Sequence, residues 1–290
     1  MLKNIAVFGA SGFFGLPVTK ALADAGFNVF VLSTDPDAEK ALLPESVYVE
    51  EGNWMYHHDL KRFLRKVDAV YCCLSVDLNE KPEDFHAETD GLREILNASL
   101  ECGIRRIAYM SSILQYNQVE NEDSWWVFRL KKDAVNYVRD SGIPFTVFYP
   151  STFMETFQTT YRRGKSVLVY GQSSFPIYFI SLKDYARMVV NAFKVPTTQD
   201  KEYFVQGADC YKMQDAAALF VKYHSGAKLK LKRVSMGWLR FLSLFSDKYK
   251  FIAQLSESLN DNNEQFISED TWTELGKPEI TFNAFAKTSE

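Results

Sequence analysis

The stretch NIAVFGASGFFGLPVTKAL spans residues 4–22. Its apolar run Ile5-Ala6-Val7-Phe8 has the length and composition of a buried strand, and the pattern from Phe14 to Ala25 is that of a helix. Between them stand Gly9, Gly12 and Gly15, spaced G-x-x-G-x-x-G. Gly9 permits a tight exit from the strand, Gly12 lets backbone N–H groups approach a ligand with no Cβ in the way, and Gly15 lets the helix pack close to the sheet. Pro17 falls in the first helical turns, where a missing N–H costs little. A strand, a glycine turn and a helix N-terminus together form an anion site. The expectation is a dinucleotide pyrophosphate held by Gly9, Ala10, Ser11, Gly12, Phe13, Phe14 and Gly15.

Further along, short apolar runs alternate with helical patterns. Strands are expected at Asn4–Phe8, Asn28–Leu32, Val47–Glu50, Ala69–Cys73, Ile107–Met110 and Phe145–Phe148. Helices are expected at Phe14–Ala25, Asp59–Lys66, Glu83–Cys102 and Ser124–Asp140. Helix-length crossovers imply parallel strands covered on both faces, hence a doubly wound α/β sheet of the Rossmann type. After Pro150 the rhythm becomes irregular, with strands at Val167–Tyr170 and Glu202–Val205 and helices at Leu182–Phe193 and Met213–Tyr223. Residues 1–150 are therefore expected to bind the dinucleotide. Residues 151–290 are expected to form a smaller α+β substrate lobe, with the chain crossing between the two.

Composition narrows the function. In 290 residues, 47% hydrophobic and 15% aromatic content suffices for a sizeable core. A formal charge of −4 gives no basic surface for nucleic acid. No window reaches the length of a membrane span, and the first apolar run is too short for a signal peptide. Cys72, Cys73, Cys102 and Cys210 show neither a pairing pattern nor metal-ligand spacing, so a reduced, cytoplasmic protein is expected. His57-His58-Asp59 is taken as a solvated helix start, because adjacent helical residues diverge by about 100°. No metal site is expected.

The end of the second strand ordinarily reads the adenosine ribose, through an acid for NAD or a cation for the 2′-phosphate of NADP. Here it is Ser33-Thr34-Asp35. Hydroxyls at Ser33 and Thr34 do not repel a phosphate, which favours NADP, yet no cation meets it and Asp35 stands one position late for NAD. Both cofactors stay open.

Several segments resemble the atypical short-chain dehydrogenase/reductases of the NmrA-like, isoflavone-reductase-like kind. Besides the glycine turn they are IAYMSS (107–112), LKKDAVNYVRDSGIPFTVFYPSTFMET (130–156), YFISLKDYARMVVNAF (178–193) and KEYFVQGADCYKMQDAAALF (201–220). The resemblance implies an NAD(P)-binding Rossmann fold and reductase chemistry. It also exposes departures. Short-chain reductases usually carry Tyr-x-x-x-Lys on the helix before the sixth strand, the tyrosine as proton donor. The corresponding lysine is Lys131, but Val127 stands where the tyrosine would be. Val135 replaces a glutamate and Tyr149 an arginine. Tyr161 to Lys165 has the literal spacing, but it lies past the sixth strand, contains Gly164 and is taken as chance.

Helical geometry singles out Lys131 independently. Val127, Leu130, Lys131, Ala134 and Val138 share one apolar face, while Lys132 points toward solvent. An inward ammonium needs a partner, and a ribose hydroxyl pair or a substrate oxygen would serve. Lys131 is thus a candidate for both ribose binding and catalysis. Ser112, ending the fifth strand with Ser111, is a second catalytic candidate. Leu74, Ser75, Ser111, Pro150 and Phe153 are expected to line the cofactor trough. Trp125, Trp126, Phe153 and Phe157 are candidates for an apolar pocket wall. Trp238, Phe241, Leu242 and Phe245 are expected to form the inner face of a helix in the smaller lobe, with a membrane-surface or partner patch as the alternative.

Two functions remain in view. One is an NAD(P)H-dependent reductase of an apolar or aromatic small molecule such as a quinone or enone. The other is a non-catalytic NAD(P) sensor that passes its state to a protein partner.

Overall fold

The structure, a computed structural model, describes residues 2–77, 79–118, 125–196 and 198–289. The first part alternates β1 (Asn4–Phe8), α1 (Gly15–Asp24), β2 (Asn28–Ser33), α2 (Pro36–Lys40), β3 (Tyr48–Glu51), α3 (His57–Leu64) and β4 (Ala69–Cys72). It continues with α4 (Leu92–Glu101), β5 (Arg106–Met110), α5 (Ile113–Gln118), α6 (Trp126–Asp140) and β6 (Phe145–Pro150). Then come β7 (Thr152–Phe153), β8 (Arg162–Arg163), β9 (Ser166–Tyr170), β10 (Ile177–Ile180), α7 (Leu182–Lys194) and β11 (Lys201–Val205). The chain ends with β12 (Asp209–Tyr211), α8 (Met213–Tyr223), β13 (Lys230–Val234), α9 (Met236–Ser243), α10 (Asp247–Asn260), α11 (Glu269–Leu275) and α12 (Phe282–Thr288).

Seven parallel strands form one sheet in the order β11-β6-β5-β4-β1-β2-β3. This is the doubly wound α/β arrangement expected from the alternation. Its central strands are buried on both faces. Ile5, Val7, Tyr71 and Phe148 belong to one apolar layer, whereas Ala6, Cys72, Tyr109 and Tyr149 belong to the other. Strand order reverses between β1 and β4, so the crevice at their carboxyl ends is where this fold takes ligands.

The seventh strand comes from late in the chain. β11 pairs in parallel with β6 from Lys201↔Thr146 to Val205↔Pro150, and α7 packs on α1. A whole αβ segment that follows β10 in the chain thus belongs with the large sheet. Two three-stranded sheets, β12-β10-β7 and β13-β9-β8, build the smaller lobe, whose core gathers Met154, Phe157, Val169, Phe179, Phe220 and Phe282.

One expected helix is shortened. The pattern Glu83–Cys102 begins as loop and a π-helical turn (Ala87–Gly91) before α4. The His86 N–H donates to Asp90 Oδ2 and its ring meets Glu80 at 2.6 Å, which holds residues 80–86 in a bent path. Ser124, the expected first residue of the next helix, lies outside the described residues, and α6 begins at Trp126.

Candidate functional site

The glycine turn is fixed by backbone contacts that leave no room for side chains. Gly9 has φ +86°, and a Cβ there would lie 2.5 Å from the Cys73 carbonyl oxygen. A Cβ on Gly15 would lie 1.9 Å from the Gly9 carbonyl oxygen, so α1 can press against the turn only with glycine at that point. The Gly12 N–H donates to the Gly9 oxygen at 3.2 Å, and Gly12 itself is exposed on the outer side. No side chain caps the start of α1. An uncapped helix N-terminus beyond a Cβ-free turn, at the topological switch point, fits a pyrophosphate.

β2 ends at Ser33, and Thr34 follows it. The Ser33 Oγ accepts from the Asp35 N–H, and Asp35 Oδ1 caps α2 by accepting from the Ala38 N–H at 3.1 Å. Local bonds thus engage Ser33 Oγ and Asp35 Oδ1.

A cavity of about 230 Å³ borders the carboxyl ends of β4, β5 and β6. Its described lining includes Phe14, Ser75, Ser111, Ser112, Lys131, Pro150, Ser151 and Phe153, so it joins the glycine turn, the strand ends and α6 in one space. Leu74 is half-buried just before Ser75. Phe14 and Phe153 touch with ring centroids 5.1 Å apart. From the smaller lobe come Tyr161, Leu255 and Leu259. A larger open groove of about 630 Å³ lies between α1 and α7, lined by residues such as Lys20, Asp24 and Arg187. It contains none of the strand-end groups, so the smaller cavity is the one placed for chemistry.

Lys131 is the one charged side chain among the described residues lining that cavity. It points inward, as the helical face requires, while Lys132 is exposed. Its partner is one the sequence reading did not identify. Glu88, fully buried on the π-helical turn before α4, takes the Lys131 ammonium and the Tyr109 hydroxyl (2.8 Å) on the same oxygen, Oε1. Glu88 Oε2 is buried without a partner. Desolvating two charges is costly, and it is tolerated only because the pair is mutual and further hydrogen-bonded. The periodicity argument that found Lys131 applies equally here: Glu88 shares a face with Leu92, Ile95 and Ser99, all buried. The nearby Cys73 thiol is pushed up to about 12 by burial, which leaves it without nucleophilic character at neutral pH.

The two serines differ. Ser112 Oγ accepts from the Leu114 N–H at 3.3 Å, at the start of α5, whereas Ser111 Oγ is buried with no partner. Val127, expected where the tyrosine would stand, packs with Trp125 and Phe128. Lys165 is exposed beyond β8, on the turn into β9, so the literal Tyr161-x-x-x-Lys165 brings only its tyrosine to the cavity. Tyr149, in place of the arginine, bonds Glu202 at 3.1 Å and meets Arg139 at 3.4 Å.

Two expectations are corrected. Of the four aromatic candidates for the pocket wall, Phe153 alone lines this cavity. Trp125 packs against Phe251 (4.6 Å), Trp126 against His86 (5.1 Å), and Phe157 is sealed in the smaller lobe's core. Trp238, Phe241 and Phe245 do not form an inner helix face. They are 56%, 49% and 74% exposed, because α9 turns Leu239 inward instead. His57 opens α3 at the surface as expected, paired with Glu101. Among the described residues no helix is long and apolar enough to cross a membrane.

A model of the NmrA-like family matches residues 1–275. The (4-alkanoyl-5-oxo-2,5-dihydrofuran-3-yl)methyl phosphate reductase of Streptomyces griseus is 28% identical over 218 residues, covering 74% of this chain and 71% of its own. Among solved structures, the Escherichia coli NADPH-dependent quinone oxidoreductase complexed with NADPH superimposes with a TM-score of 0.74. It is 18% identical and covers 97% of this chain and 98% of its own. The Bordetella bronchiseptica enzyme WbmH in complex with NAD+ gives 0.72 at 16% identity, covering 100% of this chain and 97% of its own.

Proposed function

The chain belongs to the NmrA-like family, and from that premise we propose that it is a nicotinamide-dependent reductase of an apolar small molecule, quinone- or enone-like. The observation that carries this reading is Lys131, the one charged group among the described residues lining the cavity next to the glycine turn. A bound reduced nicotinamide would supply hydride. Gly9 to Gly15, with the uncapped start of α1, hold the pyrophosphate. Leu74, Ser75, Pro150 and Phe153 form the trough walls, and Phe14 and Phe153 help keep the reacting end dry. Lys131, fixed by Glu88, orients the ribose hydroxyls or holds the proton at Nζ that the reduced substrate takes up. The related reductase and the NADPH-bound quinone oxidoreductase support the reaction class. NADPH is the favoured dinucleotide because hydroxyls rather than an acid end β2. The NAD+-bound relative in fold keeps NADH in the test.

One observation favours a second reading, a non-catalytic NAD(P) sensor acting on a protein partner: the tyrosine's place is taken by Val127, a buried core residue. Titration of NADPH and NADH by fluorescence, followed by absorbance of the reduced cofactor with a panel of quinones and enones, separates the two. Acceptor-dependent oxidation supports the reductase. Tight binding without oxidation of either dinucleotide supports the sensor.

A further inference from the structure

The segment from Lys228 to Lys250 is unlike the rest of the molecule. It carries seven basic residues and one acid in a chain of net charge −4. All seven basic side chains are exposed. Arg240 pairs with Glu257 at 2.7 Å, and the single acid, Asp247, has Lys81 at 3.8 Å. Lys228, Lys230, Lys232, Arg233, Lys248 and Lys250 have no ion pair among the described residues.

Within this basic stretch stands an aromatic cluster that faces solvent. Trp238 stacks on Phe241 at 5.5 Å, and Phe241 meets Phe245 edge-on at 5.4 Å. Leu244 is 75% exposed beside them. The spacing 238, 241, 245 is that of one helical face, opposite the buried Leu239. Ser235 caps α9 through the Trp238 N–H, so Lys232 and Arg233 at the end of β13 come within a turn of the aromatics. Lys248 and Lys250 follow Phe245 on the first turns of α10. A protruding aromatic face rimmed by unpaired cations is complementary to an anionic bilayer, where Trp and Phe settle at headgroup depth and lysines meet lipid phosphates.

We propose that the α9–α10 hairpin docks the protein on an anionic phospholipid surface, inserting Trp238, Phe241, Leu244 and Phe245. The same α10 gives Leu255 and Leu259 to the cavity, so docking brings the pocket next to the membrane. This inference does not depend on the reductase assignment, because vesicle binding is read without cofactor or acceptor.

The test is co-sedimentation of the full chain with sucrose-loaded vesicles of phosphatidylcholine alone or with about 30 mol% phosphatidylglycerol. The anionic vesicles should bind about ten-fold better, and raising salt from about 50 mM to about 500 mM should release most of the protein. The triple variant Trp238→Ser, Phe241→Ser, Phe245→Ser should lose about ten-fold in binding with its thermal midpoint unchanged. Absence from anionic vesicles at low salt would overturn the proposal. So would a wild-type dimer in light scattering that the triple variant converts to monomer, because the face would then seat a second copy of the chain.

Discussion

The glycine turn after β1 and the lysine on α6 border the same cavity, yet they are built in opposite ways. The turn is all backbone: Gly9 and Gly15 are required because carbonyl oxygens stand 2.5 and 1.9 Å from where a Cβ would be. The lysine end is all side chain, an ammonium and a phenol converging on one oxygen of a fully buried carboxylate. Backbone geometry tolerates no substitution but specifies only that a phosphate fits. The side-chain cluster could be rebuilt in many ways, so its composition carries the chemistry. Here it is a lysine, a carboxylate and a phenol.

The largest effect on dinucleotide binding should come at the turn. Gly15→Ala forces a methyl against the Gly9–Ala10 backbone, where nothing can swing away. Overpacking of this kind costs about 3 kcal/mol. The melting temperature should fall and dinucleotide affinity should drop by about two orders of magnitude, equivalent to about 2.7 kcal/mol. Retained binding in fluorescence titration would mean that the turn is not the phosphate cradle.

Next is the side-chain end. Lys131→Met leaves Glu88 buried with only Tyr109 as partner, which should cost about 3–5 kcal/mol in urea unfolding at neutral pH. A deficit below about 1 kcal/mol would argue against a charged pair buried at this point.

A smaller, pH-dependent effect belongs to the smaller lobe. Burial pushes both Glu155 and Glu264 up from 4.5 to about 7. A carboxyl that holds its proton more tightly when folded contributes most below the unfolded pKa and loses that contribution as pH rises through about 7. Stability should accordingly decline from about pH 5 to about pH 8. Glu264→Gln keeps the shape that meets Gln206 at 2.6 Å and Ser151 at 2.9 Å, and it should flatten part of that decline. An unchanged slope would remove Glu264 from the account.

The smallest effect is expected at α9. Trp238→Ser should change stability by less than about 0.5 kcal/mol, because the ring is mostly in solvent. A loss of several kcal/mol in urea unfolding would show that the ring is packed after all.

What was legible in the sequence follows the same division. Local signals placed β1, α1 and the glycine turn, and periodicity aimed Lys131 inward. The seven strands of the sheet could not all be assigned to it: Lys201–Val205 has the composition of any short strand, and only its long-range pairing with β6 makes it part of the sheet. Periodicity likewise gives a helix a face without saying which way the face turns. That is why the aromatics of α9 were expected inside and lie outside. Glu88 was within reach of the argument that found Lys131, but the extra turn at Ala87–Gly91 begins a helix four residues later than the pattern suggests. Ser33 stands at the end of β2, where its Oγ accepts from the Asp35 N–H, a local bond that the strand pattern alone did not show.

The most direct measurement is the rate at which NADPH absorbance falls with quinone and enone acceptors, wild type against Lys131→Ala. Acceptor-dependent oxidation by the wild type, with weakened cofactor binding and a lower rate in the variant, is the predicted result. Tight NADPH and NADH binding with no oxidation by any acceptor, and affinity unaltered in Lys131→Ala, would contradict it.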